Sequence, residues 1–366
     1  MSEPGSSQAD AMRDASRADP AVRQTRLLIV TSLYPTPDRP TAGPFVRRRV
    51  AALRGRGVIV DVLAARDYRS SGLRRHLAML VRGLRDRRRP DGVEGHVLFP
   101  AGLIALLLAR IHHCPLLIYA HGADVGRMAN RTPLHRALAA VVARTADIVV
   151  TNSPATAARV ARLGGQAHVV SPGVDFERFQ PADRGAARRR LGLPLDVRMA
   201  MYVGGLSLRK GADVFASVLD RTPGWLGVLV GEGELGTTIG QRYPRVLAVG
   251  AVEPDAVPGW LNAADVVVVP SRDEPLGLVA VEALASGLPV IASAVGGLAN
   301  LVAEGVNGFL VPPGDEHAIA AALRKLESET LRAKLAQAAR ASVASHDIRV
   351  TSETMADLWL TLGVRT

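Results

Sequence analysis

The sequence predicts an α/β protein of two doubly wound, Rossmann-like domains that face each other across a cleft. Short apolar runs alternate with amphipathic stretches along the chain, which is typical of parallel sheets covered by helices. At 366 residues, the chain is too long for one ordinary hydrophobic core and suits two. Because parallel sheets bind ligands at the carboxyl ends of their strands, we expect the functional site in the shared cleft.

The first predicted domain covers residues 25–180 and begins with a buried strand. Its predicted strands span residues 26–32, 58–64, 116–120 and 148–151. Helices are predicted over 45–55 and 154–163, and Gly164 and Gly165 close the second of them. The polar residues that follow these strands are the expected ligand loops.

The second predicted domain covers residues 181–345 and repeats the pattern. Its predicted strands span residues 199–203, 226–230, 246–249, 266–269 and 289–292, with helices over 213–219 and 276–286. The Pro/Gly-containing segment 171–181 is the candidate linker between the two series. Residues 346–366 contain a last predicted helix, at about 351–362.

The chain ends and the apolar stretches predict a cytoplasmic protein. Residues 1–24 lack hydrophobic periodicity and are predicted to form a disordered tail, without the apolar region of a signal peptide. The apolar stretch 97–110 is shorter than the roughly 20 residues that a membrane-spanning helix needs. The single cysteine, Cys114, excludes an internal disulfide and fits a reducing compartment.

The net charge of +11 is concentrated in the first half of the chain. Nine arginines stand in the Arg66–Arg89 region against Asp67 and Asp86. Leu73, Leu77, Leu80, Val81 and Leu84 share one helical face in this region. This pattern fits peripheral contact with an anionic membrane, and it fits equally a helix that packs on its own domain. We expect no nucleic acid as a partner.

The segment 271–297 carries the densest chemical signal. A strand ends at Pro270, an acidic loop follows, and the next helix is predicted to begin near Leu276. Free backbone N–H groups of Leu276, Gly277 and Leu278 would form an anion site fit for a diphosphate, and Gly277 leaves room for its approach.

Two glutamates lie within this segment, eight positions apart. Glu274 precedes the helix, and Glu282 stands among alanine, leucine and valine residues. A carboxylate in such surroundings needs partners, and ribose hydroxyls are suitable ones. The structural alternative is that Glu274 favours the helix N-terminus and that Glu282 is a surface residue.

The segment resembles the E-x7-E motif of the retaining GT-B glycosyltransferases of family 4. Five further stretches resemble elements of that family, and they occur in the family's order between Leu27 and about Pro313. These stretches are TAGPFVRRRVAAL, IYAHGADV, ADIVVTNS, SPGVDFERFQP and YVGGLSLRKG. The resemblance implies a GT-B fold and transfer of a hexose-type sugar from a nucleotide-sugar donor, with UDP favoured and GDP next.

The resemblance also implies roles for individual residues. Gly43 would let the backbone approach the donor phosphate, and His121 would face the transferred sugar near its reacting carbon. Lys210 would hold the leaving diphosphate. Glu274 would contact sugar hydroxyls and Glu282 the ribose.

Several further expectations accompany this assignment. Val252 lies about where the family reads the nucleotide base. The last helix is expected to cross back onto the first domain. The reaction would be a front-face attack in which the departing diphosphate oxygen takes the acceptor's proton. The acceptor, which could be a glycan, a lipid or a small molecule, is not identified.

No metal or other cofactor is expected. The sequence contains no Asp-x-Asp, which is the usual carboxylate pair for a metal-bound nucleotide sugar. His112, His113 and Cys114 are adjacent and lack ligand spacing, so we expect a structural role for them.

One departure from the family pattern concerns the phosphate turn. The family often has an arginine directly after the glycine of this turn, where this chain has Gly205. Arg209 could supply the second cation. If nothing does, a nucleotide-binding or membrane-adaptor protein without transfer activity is the alternative.

A second alternative, an NAD-dependent oxidoreductase, is based on Gly231, Gly233 and Gly236, which satisfy G-x-G-x-x-G. Glu232 and Glu234 between these glycines would set negative charge against a pyrophosphate. We therefore regard this match as incidental.

Overall fold

The computed structural model describes residues 24–35, 43–66, 72–122, 125–126 and 132–366. Their strands form two six-stranded sheets in which all paired strands are parallel. Helices cover both sheets, which confirms the predicted α/β class with two Rossmann-like sheets. Most of the predicted tail, residues 1–23, lies outside the described residues.

The first sheet has the strand order β2-β1-β3-β4-β5-β6. Its strands are β1 Arg26–Thr31, β2 Ile59–Ala64, β3 Gly92–His96, β4 Leu116–Ala120, β5 Ile148–Thr151 and β6 His168–Val169. The helices between them are α1 Pro44–Gly55, α2 Gly72–Arg85, α3 Ala101–His112, α4 Pro133–Thr145 and α5 Pro154–Ala161.

The second sheet has the order β12-β11-β10-β7-β8-β9. Its strands are β7 Arg198–Val203, β8 Trp225–Val230, β9 Val246–Gly250, β10 Val266–Val269, β11 Val290–Ser293 and β12 Gly308–Val311. Its helices are α6 Arg184–Leu191, α7 Ala212–Asp220, α8 Gly236–Arg242, α9 Val257–Ala263, α10 Leu278–Ala285, α11 Leu298–Leu301, α12 Glu316–Lys325 and α13 Glu329–Ser342. A last helix, α14, spans Ile348–Thr361.

Three strands were not predicted from the sequence: β3, β6 and β12. The most consequential is β3, with the sequence GVEGH, because it lies beside β1 near the centre of the first sheet. Glycine, glutamate and histidine are poor strand formers, so local propensity conceals it. Its glycines are required by packing, since a Cβ at Gly92 would lie 2.6 Å from the ring of Trp359.

The last helix packs on the first domain, although it follows the second in sequence. Trp359 is fully buried, and Met355 and Val364 join the same core cluster as Leu27 and Val50. Burial of these side chains removes a large apolar area from water. The first domain therefore includes the end of the chain in its hydrophobic core.

The domains are joined by two segments, one around Val174 and one around Asp347, and these segments lie side by side. Val174 pairs with Asp347 in a parallel bridge, in which the N–H of Val174 donates to the carbonyl of His346 at 2.8 Å. Arg340 of α13 holds the segment that follows Val174 to the second domain. Its guanidinium donates to the carbonyls of Phe176 and Phe179 at 2.8 and 2.7 Å.

Candidate active site

A short turn after β7 positions Lys210. The side chain of Ser207 accepts a hydrogen bond from the N–H of Lys210 at the start of a 3-10 helix over Leu208–Lys210. Gly211 follows with φ 72°, and a Cβ there would lie 2.0 Å from the carbonyl oxygen of Pro270. Only glycine suits this position, and the turn is held against the loop that follows β10.

That loop presents Glu274 to the lysine. Oε2 of Glu274 lies 2.5 Å from Nζ of Lys210 and accepts a hydrogen bond from Ser271 at 3.4 Å. The backbone is fixed as well, since the N–H of Gly297 donates to the carbonyl of Glu274 at 3.0 Å. The structure thus brings together two predicted site residues that stand 64 positions apart in sequence.

The N-terminus of α10 lies beside this pair. The helix begins at Leu278, two residues later than predicted, because Gly277 takes a left-handed conformation with φ 91°. A Cβ at Gly277 would lie 2.4 Å from Cδ2 of Leu298. Leu276 and Gly277 therefore precede the helix, and the N–H groups from Leu276 to Leu278 surround its start, as an anion site requires.

Glu282 lies in α10 and is half-buried. This partial burial argues against the surface alternative for this side chain. Burial raises the pKa of Glu282 to about 7, and the charges of Arg48 and Arg178 only partly oppose this shift. Arg48 belongs to α1 of the first domain, so the electrostatic surroundings of Glu282 come from both domains.

His121 occupies the opposite side of the cleft, directly after β4. Its ring stacks on Tyr119 with 4.6 Å between centroids and lies 4.3 Å from the ring of Phe45. Nε2 of His121 lies 2.9 Å from Nδ1 of His96. Burial lowers the pKa of His121 well below its usual range. The imidazole is therefore neutral at physiological pH.

Gly43 directs α1 toward this histidine. It caps α1 with φ 54°, and a Cβ there would lie 2.0 Å from the carbonyl oxygen of Leu33. Phe45, two residues later, contacts His121. Thr41, Ala42 and Asp124 of the resembling motifs lie outside the described residues.

The two halves of the site touch at Gly122 and Pro275. Gly122 has φ 83°, and a Cβ there would lie 2.7 Å from Cβ of Pro275. These residues directly follow His121 and Glu274. The first-domain histidine and the second-domain carboxylate are therefore placed at one contact across the cleft.

Arg209 is exposed and donates to the carbonyl of Asp273 at 3.1 Å, beside the loop of Glu274. Gly205 is exposed too, and a Cβ there would meet only the carbonyl oxygen of Glu232, at 3.9 Å. Val252 is half-buried and packs against the apolar cluster of β7 and β8. An arginine at position 205 would thus find room in this fold.

The glycines of GEGELG have a packing role. A Cβ at Gly231 would lie 2.0 Å from the carbonyl oxygen of Gly204, and one at Gly233 would lie 2.5 Å from that of Leu206. The segment therefore supports the turn that carries Lys210. These contacts account for Gly231 and Gly233 without a dinucleotide.

Within the described part of the chain, no group of three or more histidine, cysteine, aspartate or glutamate side chains could hold a metal. Cys114 is half-buried, and burial raises the pKa of its thiol to about 11. Metal independence stays a prediction.

Sequence reasoning missed Glu94 and His96, which stand behind His121 on β3. Glu94 is fully buried and pairs with Arg49 of α1 through two hydrogen bonds, at 3.2 and 3.0 Å. A signal was present: the helical face at residues 73–84 and the predicted strand 116–120 are separated by more than 30 residues without a predicted strand, which is long for the alternation of an α/β domain.

The protein has two α/β domains with parallel sheets, and the turn of Lys210 in one domain lies opposite the neutral His121 of the other. This arrangement is typical of a GT-B protein. Comparison with known families agrees with this class. Residues 30–178 match the model described as Glycosyltransferase Family 4, and residues 183–342 match Glycosyl transferases group 1. The chain belongs to the GT-B glycosyltransferases of family 4, as its motifs indicate.

Curated relatives share sequence over part of their length. The chain is 39% identical over 223 residues to D-inositol 3-phosphate glycosyltransferase of Xylanimonas cellulosilytica, which covers 55% of this chain and 54% of that protein. It is 36% identical over 262 residues to D-inositol 3-phosphate glycosyltransferase 1 of Catenulispora acidiphila, which covers 63% of each. The chain thus spans between half and two thirds of these relatives.

Solved structures match over nearly the whole chain. Sucrose-phosphate synthase from Thermosynechococcus elongatus aligns with a TM-score of 0.81 and 25% identity, over 93% of this chain and 99% of that one. Anabaena HepE in complex with UDP-glucose aligns with a TM-score of 0.74 and 23% identity, over 92% and 99%. At that identity HepE supports the fold alone.

Proposed function

We propose that this protein is a retaining glycosyltransferase that moves a hexose-type sugar from a nucleotide diphosphate sugar to an acceptor without a metal. The observation that carries the proposal is the Lys210–Glu274 pair, which meets the neutral His121 across the contact of Gly122 with Pro275. A cation suits a diphosphate, a carboxylate suits sugar hydroxyls, and an uncharged imidazole suits the surroundings of the reacting sugar.

Lys210 and the N-terminus of α10 would stabilise the leaving diphosphate. Negative charge develops on the bridging oxygen as the bond to the sugar breaks. The ammonium of Lys210 and the N–H groups of Leu276, Gly277 and Leu278 are fixed in place before the reaction, so they can stabilise this charge without reorganisation. Glu274 would then accept hydrogen bonds from the donor sugar.

The geometry favours front-face attack with retention. The acceptor oxygen would bond to the anomeric carbon on the side from which the diphosphate departs, and the diphosphate oxygen would take the acceptor's proton. A covalent sugar intermediate would need a free carboxylate at the anomeric carbon, and the carboxylate of Glu274 is paired with Lys210. Glu94 is separated from the cleft by His96 and is fully buried, so it cannot serve.

For the acceptor we propose a phosphorylated polyol of the inositol phosphate type, following the names of the relatives. The first domain contains a cavity of 980 Å³ that would suit an anion. Its lining includes Tyr34, Arg54, Arg66 and Arg82, together with Arg88, which is paired with the lining residues Asp61 and Asp86. Guanidinium groups bind phosphate oxygens in a bidentate manner. UDP is the preferred nucleotide of the donor and GDP the second.

We also propose that the first domain contacts anionic membranes. Leu73, Leu77 and Leu84 of α2 are 81%, 58% and 52% exposed, so these three leucines of the apolar stripe do not pack inside the domain, whereas Leu80 packs against its core. Arg74 and Arg85 flank it on the same helix. No helix in the described residues is long and apolar enough to cross a bilayer, so contact would be at the surface.

A donor panel tests the proposed activity. The purified protein is incubated with UDP-, GDP-, ADP- and dTDP-sugars, with and without EDTA, and with D-inositol 3-phosphate or unphosphorylated inositol. We expect nucleoside diphosphate release from one donor, dependent on the phosphorylated acceptor, unaffected by EDTA and lost in Glu274→Ala. Binding of UDP without turnover by any acceptor would favour the nucleotide-binding alternative. If the protein binds no nucleotide, the assignment of the donor site is wrong.

A further inference from the structure

A buried chain of polar side chains leads from α1 to His121. Arg49 binds Glu94, Oε1 of Glu94 lies 3.2 Å from Nε2 of His96, and Nδ1 of His96 lies 2.9 Å from Nε2 of His121. Glu94 and His96 are at most 1% exposed. Buried polar groups that touch one another must match donors with acceptors, so the protonation of each ring is coupled to the next.

The first link places a proton on Nε2 of His96. The contact with Glu94 is not well aligned for a hydrogen bond, and Nε2 has no other partner in the described residues. An unprotonated Nε2 would nevertheless direct a lone pair at a carboxylate oxygen inside the protein, which is unfavourable. Nε2 of His96 therefore carries the hydrogen.

The second link depends on the charge of His96. Glu94 is already compensated, because Arg49 donates to both of its oxygens and Nε1 of Trp359 donates to Oε2 at 3.3 Å. A second buried cation beside this pair would lack a counter-charge. An uncharged His96 avoids this cost, and with hydrogen on Nε2 its Nδ1 is a hydrogen-bond acceptor.

We propose that Glu94 is a positioning residue that, through His96, holds His121 in the tautomer with hydrogen on Nε2. Nε2 of His121 then donates to Nδ1 of His96, and Nδ1 of His121 is left as an acceptor for a ligand. This inference builds on the proposed function, in which that ligand is a hydroxyl of the donor sugar. The opposite tautomer would present a donor there instead.

The variant Glu94→Gln has a predictable effect on both rings. Oε2 of Glu94 faces two donors, Arg49 and Trp359, so the amide oxygen of a glutamine would take that place. Its NH₂ group would then take the place of Oε1, lose the hydrogen bond from Nε of Arg49, and face His96, where it requires an acceptor. Both histidines would change tautomer, and Nδ1 of His121 would become a donor.

The experiment is ¹⁵N NMR of protein labelled at histidine, with the His121 signals assigned by their loss in His121→Asn. We expect hydrogen on Nε2 of His121 in the wild type and on Nδ1 in Glu94→Gln. Trp359→Phe is the control, because it removes a partner of Glu94 but keeps the carboxylate, and it should retain the wild-type tautomer.

A wild-type His121 with hydrogen on Nδ1, or an unchanged tautomer in Glu94→Gln, would overturn the proposal. The wild-type spectrum decides even if the glutamine variant does not fold. In kinetics, Glu94→Gln should lower kcat/KM for the donor about tenfold to 100-fold, the range found for the outer partners of metal-binding histidines, while the Kd for the nucleoside diphosphate stays unchanged. The tautomer is measured without a donor, so this test is independent of whether transfer occurs.

Discussion

Nζ of Lys210 lies 2.5 Å from Oε2 of Glu274, which joins the turn after β7 to the loop after β10. The lysine side chain is 29% exposed and the glutamate side chain 10% exposed, so the cation is open to the cleft while its partner stays mostly enclosed. A diphosphate that enters the cleft can therefore reach the ammonium group without displacing the carboxylate from its buried position.

Lys210→Ala should reduce kcat about 100-fold to 1000-fold, the usual loss when one preorganised donor to a developing oxyanion is removed. Steady-state release of nucleoside diphosphate measures it. Lys334→Ala is the matched control, since Lys334 is exposed on α13 and the change in net charge is the same. Turnover of Lys210→Ala within threefold of the wild type would contradict the assigned role.

Gly205→Arg should strengthen nucleoside diphosphate binding. A side chain at this position meets only the carbonyl of Glu232, at 3.9 Å, and the added guanidinium would stand in the same turn as Lys210. We expect a Kd for UDP about threefold to tenfold lower, measured by calorimetry, from one charge-assisted contact. Gly240→Arg adds the same charge in α8, where space is also open. An equal gain in that variant would show a nonspecific effect.

The affinity for the donor should depend on pH through Glu282. Its pKa of about 7 means that the carboxyl is protonated below neutrality. Ribose hydroxyls donate to the ionised form and would lower this pKa, so binding releases a proton below pH 7. The association constant should therefore rise from pH 6 to about pH 7 and level off above it. Glu282→Gln should remove the dependence, and a pH profile shared by both proteins would refute the assignment.

Gly122→Ala should impair turnover more than stability. The added Cβ would lie 2.7 Å from Pro275, so it separates the two domains at the site. Gly57→Ala is the control, because Gly57 has φ 81° but has nothing within 4 Å of its Cβ. Both should lose about 1–2 kcal/mol of unfolding free energy from the left-handed backbone, and Gly122→Ala should lose somewhat more, because its Cβ would also lie 2.9 Å from Oγ1 of Thr156. Only Gly122→Ala should lose at least tenfold in kcat, and equal losses would argue against the interdomain contact.

Sedimentation with vesicles tests the exposed stripe of α2. Leu73→Glu and Leu77→Glu should each weaken binding to vesicles of phosphatidylglycerol and phosphatidylcholine, since each replaces an exposed apolar side chain with a negative charge. Leu195→Glu is the control, because Leu195 is 47% exposed but lies in the second domain. If sedimentation of the wild-type protein does not depend on the anionic lipid, the membrane proposal is refuted.

Most of the fold could be predicted because buried parallel strands have distinctive sequences. The strands β4, β5 and β10 were predicted to the residue, since runs such as LLIYA and VVVV are apolar and β-branched or aromatic. The strand β3 could not be found in this way. Its residues are determined by partners far away in sequence, including Trp359, and no local rule predicts those contacts.

The candidate site was predictable where it follows motifs and unpredictable where it depends on side-chain pairing. Lys210, Glu274 and His121 each lie in a segment that resembles a known motif. The approach of Lys210 to Glu274 depends on Gly211 packing against Pro270, which only the folded chain shows. Glu94 gives no sequence signal of burial, because its compensating charge on Arg49 stands 45 positions earlier.

The placement of Trp359 has a consequence for synthesis. Domains generally fold in order from the N-terminus as the chain leaves the ribosome. Here the first domain lacks part of its core until α14 has emerged, because Trp359 closes over Gly92 and Leu27. The second domain holds all its strands in one uninterrupted stretch, residues 198–311. The domain that is translated first is thus the one completed last, and a nascent chain stalled before its final helix would carry a finished second domain beside an incomplete first one.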